Sequence, residues 1–106
     1  MNFLTDSERL ILLILKARIS KALSFNNSSK LNEEERVELE IVFQEVDNLI
    51  LYKGCSFKNV KDNFQKKLKD SMNVLKKSKK AYLKKHLIPL INKISMGNWE
   101  SDKLDG

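Results

Sequence analysis

Apolar residues recur along this chain at helical spacing. Phe57, Val60, Phe64, Leu68, Met72 and Leu75 step by three or four residues, so they line one side of a helix whose other sides are left largely to lysine. Leu39, Val42, Val46, Leu49 and Ile50 make a second stripe of that period, and Tyr82, Leu83, Leu87, Leu90, Ile91 and Ile94 a third. The opening run differs. Residues 10–15 are all apolar, and Ala17, Ile19, Ala22 and Leu23 continue the pattern around much of the circumference. Such a helix is either central to a core or offers a face to a partner.

Local signals set the expected boundaries. Thr5 with Glu8 has the form of a capping box, which predicts a first helix from Asp6 to Phe25. A polar loop follows at 25–30, and Asn32 with Glu35 caps a second helix reaching about Lys53. Glu33, Glu34 and Glu35 fall in its first turn, where the helix dipole favours negative charge. Gly54 is expected to close that helix in a left-handed conformation and Ser56 to cap the third. The segment 76–80 has no apolar residue and no breaker. Either Ser78 caps a fourth helix there, or the third and fourth are one bent rod. Pro89 lacks the amide that would bond the Lys85 carbonyl and is expected to kink the last element, which Met96 and Gly97 end. The prediction is an all-α fold: an antiparallel up-and-down bundle of four helices in one domain, residues 1–97, with a polar, acidic tail at 98–106.

Composition agrees. At 106 residues and 42% hydrophobic the chain can bury a core, and three Gly and one Pro supply few of the turns a many-stranded sheet needs. Cys55 is the only cysteine, so a disulfide framework or cysteine-based zinc site within the chain is not expected. Asp6 and Glu8 stand where a signal peptide has positive charge, and six apolar residues fall far short of a bilayer span of about 20. The expected location is cytoplasmic.

Catalytic parts are sparse. His86 is the sole histidine and sits beside Lys84 and Lys85, which reads as a solvated helix residue rather than a general base. Cys55 follows a glycine near a predicted helix start, a place that can activate a thiol, but the reading preferred is a turn cysteine of no special reactivity. The three glycines are isolated, so no phosphate-cradling loop is written here. A non-enzymatic protein without cofactor or metal is expected.

Charge says more. Residues 1–52 carry nine acids and six bases, whereas 53–97 carry thirteen lysines and only two aspartates. Lys76, Lys77, Lys79, Lys80, Lys84, Lys85 and Lys93 concentrate that positive field, which suits an anionic partner: an acidic protein, the inner membrane surface or nucleic acid. All thirteen cations are Lys, while Arg9, Arg18 and Arg36 lie in the acidic half. Bidentate reading of bases favours Arg, so nucleic-acid binding here implies salt-sensitive phosphate contact without sequence preference. Trp99 is either an interfacial anchor or a residue folded back on the bundle end.

The stretch Leu31-Asn32-Glu33-Glu34-Glu35-Arg36-Val37-Glu38-Leu39, the short loop at Gly54, the Phe57/Val60/Phe64/Leu68 helix and the closing Leu90-Ile91-Asn92-Lys93-Ile94 together resemble the immunity proteins of pediocin-like (class II) bacteriocins. The resemblance covers roughly residues 5–97. It implies a small four-helix bundle that protects the producing Gram-positive cell at the cytoplasmic side of the bacteriocin's receptor, a membrane sugar-transport permease. It also implies that the C-terminal half reads which bacteriocin is present, which singles out Lys84, Lys85, His86, Lys93, Trp99 and Glu100. The acidic tail and Pro89 depart from the family pattern. Two other readings use the same residues. One is a basic nucleic-acid-binding regulator of phage or plasmid origin; the other is a small inhibitor or adaptor that docks through the first helix, as a monomer or weak dimer.

Overall fold

The structure, a computed structural model, describes residues 4–24 and 31–99. Four α-helices follow one another: α1 (Asp6–Ala22), α2 (Glu33–Ile50), α3 (Phe57–Leu75) and α4 (Ile88–Ser95), with a π-helical turn, Leu83–Leu87, running directly into α4. Helical geometry is continuous over 81–95. Both predicted capping boxes are present. The Glu8 amide donates to Thr5 Oγ1 at 3.1 Å and the Thr5 amide to Glu8 Oε1 at 2.9 Å. The Asn32–Glu35 pair repeats this at 2.7 and 3.0 Å, which satisfies the largely buried Glu35 side chain through its own helix start.

Cross-helix contacts show the directions. Glu38 of α2 accepts from Ser71 of α3, and Glu45 pairs with Lys67, so the numbers rise on one helix as they fall on the other. Arg18 and Lys21 near the end of α1 meet Tyr82 and His86 at the start of the last element. At the opposite end Glu8 pairs with Lys61, over which Trp99 lies. The bundle is therefore up-and-down and antiparallel, with the π-helical turn ahead of α4 closing onto α1 and α4 packing on α3. Its centre is aliphatic: Ile11, Leu12, Leu15, Ile19, Leu39, Val46, Leu75, Leu87, Ile91 and Ile94 have no exposed surface. Burying one such side chain contributes about 1.5–3 kcal/mol.

Several local expectations need correction. Ser56 makes no side-chain cap; instead its amide donates to the Tyr52 hydroxyl at 3.3 Å. Gly54 is not left-handed. Its place is explained by Tyr52, whose hydroxyl occupies the space a Cβ would need. The left-handed glycine is Gly97 (φ 87°), where the Gly97 amide reaches the Ile94 carbonyl and the Asn98 amide that of Lys93, the bond pair of a Schellman stop. α1 stops at Ala22 and α2 at Ile50, each short of the expected ends; Phe25 lies outside the described residues. The third and fourth elements are separate helices, because the chain leaves helical geometry after Leu75 and turns through 76–80. Ser78, in that turn, accepts from the Lys80 amide at 3.1 Å just ahead of the new helix.

Candidate interaction surface

The lysines singled out in the sequence divide by environment. Lys76, Lys77 and Lys79 are exposed in the α3–α4 connection, and Lys84 and Lys85 are exposed on the π-helical turn. Lys80 and Lys93 are half-buried. Lys76, Lys77, Lys79, Lys80, Lys84 and Lys85 gather at one end of the bundle and pair with no carboxylate among the described residues. By contrast Lys61 and Lys67 of α3 are spent on Glu8 and Glu45. Cations gathered where α3 ends also suit the negative pole of its dipole.

Pro89 explains the turn that displays two of them. A proline inside a regular helix removes one amide bond and crowds the carbonyl four residues back. Here the helix widens ahead of it: the Ile88 amide reaches the Leu83 carbonyl, five residues away, and Pro89 enters as the first turn of α4. The irregularity expected at Pro89 takes the form of a π-helical turn within a continuous helical run. Arg18 secures it. Its Nη1 donates to the His86 carbonyl at 3.0 Å, while the Tyr82 hydroxyl donates to the Arg18 carbonyl at 3.3 Å. His86 is half-buried with its ring 4.9 Å from that of Tyr82, and Lys21 lies 5.9 Å over the Tyr82 ring. Burial raises the Tyr82 phenol above its ordinary pKa, with the Arg18 charge pulling the other way. Arg18 and Lys21 belong to the acidic half of the chain, and spacing alone carried no sign that they complete this basic corner.

Trp99 is not part of the same surface. It is 6% exposed, its ring centroid 5.7 Å from that of Phe64, with the Lys61 ammonium 4.7 Å from its ring centre. Its indole Nε1 has no hydrogen-bond partner among the described residues. The folded unit therefore continues to residue 99, two residues beyond the boundary expected from composition, and Trp99 serves the core instead of facing a partner. It stands at the opposite end from the lysine cluster, with the helical run 81–95 between them, so the two groups cannot form one contact patch. Glu100 lies outside the described residues.

Other chemistry is sparse. Among the described residues no three His, Cys, Asp or Glu side chains gather to hold a metal ion, and Cys55 is an exposed free thiol. The Glu8 carboxyl is perturbed. Burial pushes it up, but hydrogen bonds from Lys61 and the Thr5 amide, with the Lys61 charge, hold it below the ordinary value. Among the described residues no helix is long and apolar enough to cross a membrane. A scan against protein-family models finds no match, and searches of curated proteins and of solved structures find none either.

Proposed function

We propose that this chain is a binding protein of the bacteriocin-immunity type, acting from the cytoplasmic face on the bacteriocin's membrane receptor. The observation that carries the reading is the lysine cluster of the α3–α4 connection and π-helical turn, which meets no carboxylate among the described residues. It lies in the C-terminal half, where the resemblance places recognition, on a bundle of the kind the resemblance implies. Six lysines held at one end without a carboxylate partner among the described residues favour an anionic surface, such as an acidic protein face or the headgroups around a receptor. The arginines bear on the nucleic-acid alternative. Arg18 is committed to the His86 carbonyl and Arg36 to Glu33, which leaves point charges rather than planar forks at this end.

The test is protection. The chain is expressed in a bacteriocin-sensitive Gram-positive strain and challenged with a panel of pediocin-like peptides. Selective survival against one or two peptides, lost when Lys84 and Lys85 are changed to Gln, is the expected result. Survival no better than the empty strain across the panel, with tight salt-sensitive duplex binding instead, would move the assignment to the nucleic-acid reading.

A further inference from the structure

The side of α2 turned away from the core carries a second surface, opposite in charge to the lysine end. Within Glu33–Ile50 lie seven carboxylates and one arginine, a strongly acidic helix in a protein of net charge +6. Five of the seven carboxylates are committed locally. Glu33 pairs with Arg36, Glu35 closes the capping box, Glu38 accepts from Ser71, Glu45 pairs with Lys67, and Asp47 with Lys16. Glu34 and Glu40 are exposed and have no partner among the described residues. Those two flank Val37 and Ile41, which are 43% and 46% exposed.

Helical spacing turns this into one face. Glu34, Val37 and Ile41 are three and four residues apart and so stand in a row, with Glu40 beside it. The row lies opposite the buried stripe of Leu39, Val42, Val46 and Leu49. Further along, Gln44 and Asn48 bond each other at 3.1 Å, and Leu51 beyond the helix end is 70% exposed. Aliphatic side chains rimmed by uncommitted carboxylates are poorly served by water and unsuited to an anionic membrane or to nucleic acid. The complementary surface is a helix with an apolar stripe edged by lysine or arginine. α2 spans 18 residues, about 27 Å at 1.5 Å per residue, long enough to align several turns of such a partner.

We infer that the outer face of α2 is a docking site for a cationic amphipathic helical peptide, seated on Val37 and Ile41 and oriented by Glu34 and Glu40. The site is separate from the lysine cluster and does not rest on the preceding proposal.

The test is a titration of the full chain with a synthetic amphipathic helical peptide built of leucine and lysine, with a scrambled peptide of the same composition beside it. One-to-one binding of the amphipathic peptide is expected, weaker by about tenfold in the double variant Val37→Ala/Ile41→Ala, as loss of a few part-buried methyl groups implies. Glu34→Gln/Glu40→Gln should weaken binding similarly and flatten its salt dependence. All four positions are exposed, so these variants should keep the helical circular dichroism of the parent. Equal affinity for parent and both variants, or equal affinity for the scrambled peptide, overturns the inference. So does sedimentation showing a dimer that Val37→Ala/Ile41→Ala dissolves, since the face would then belong to a second copy of this chain.

Discussion

Replacing Phe64 with Ala tests the packing most directly. Phe64 is 2% exposed at the centre of the α3 stripe and is one of two rings in contact at the Glu8–Lys61–Trp99 end of the bundle. Truncating a buried phenyl ring costs about 3–5 kcal/mol through lost transfer energy and the cavity left behind. The pair with Trp99 accounts for about 0.5–1.5 kcal/mol of that. A domain of this size has about 5–15 kcal/mol in total, so the variant should fold but melt roughly 15–25 °C lower. The single tryptophan makes the assay specific. Urea unfolding followed at once by Trp99 fluorescence and by helical circular dichroism should give one coincident, left-shifted transition, and the native emission should move to the red as Trp99 loses its neighbour. A loss under about 1 kcal/mol with unchanged emission would mean that Phe64 does not face the core and Trp99 does not rest on it.

Three further outcomes follow from the same contacts. Glu8→Gln should reduce the acid sensitivity of folding. The Glu8 carboxyl is held below its ordinary pKa in the folded chain, so its stabilisation is full above the unfolded value and is lost as pH falls through the folded one. Urea midpoints across that acidic range should drop more for the parent than for the variant. Arg18→Leu removes a charged donor from the His86 carbonyl and should cost about 1.5–3 kcal/mol, with hydrogen exchange rising first in residues 83–95. Uniform loss of protection would show that the clamp is not local. Pro89→Ala should change stability by under about 1 kcal/mol, because the π-helical turn already accommodates the proline; a gain near 3 kcal/mol, the cost of a proline inside a regular helix, would show that strain remains.

How legible the site was depends on whether neighbours in sequence are also neighbours in space. The Thr5–Glu8 and Asn32–Glu35 caps are interactions over three residues, and the period of apolar positions records which side of each helix is buried. Both kinds of signal are local, and both appear in the structure as read. The lysine cluster was visible too, because five of its six members fall within 76–84 and all within one connection and turn. The Arg18 clamp was not, since its partners Tyr82 and His86 are 64 and 68 residues away. Nor was the outer face of α2. A row of glutamates reads as a solvated helix start until the structure shows which carboxylates are already taken by Ser71, Lys67 and Lys16.

By itself the sequence determined that the chain is helical, the Thr5–Glu8 and Asn32–Glu35 caps and the inward stripes, because hydrogen bonding over one turn and hydrophobic burial at a 3.6-residue period depend on nothing beyond each segment. It also determined the separation of charge between the two halves of the chain. Tertiary structure alone decided the rest. It decided that the chain breaks after Leu75 rather than bending, since the gain comes from packing α4 back against α3 and the π-helical turn against α1. It decided that Pro89 is met by a wide turn secured from α1, and that Trp99 belongs to the core because the Schellman stop at Gly97 brings it over Phe64. These outcomes rest on contacts between residues distant in the chain, whose energies no local pattern of side chains records.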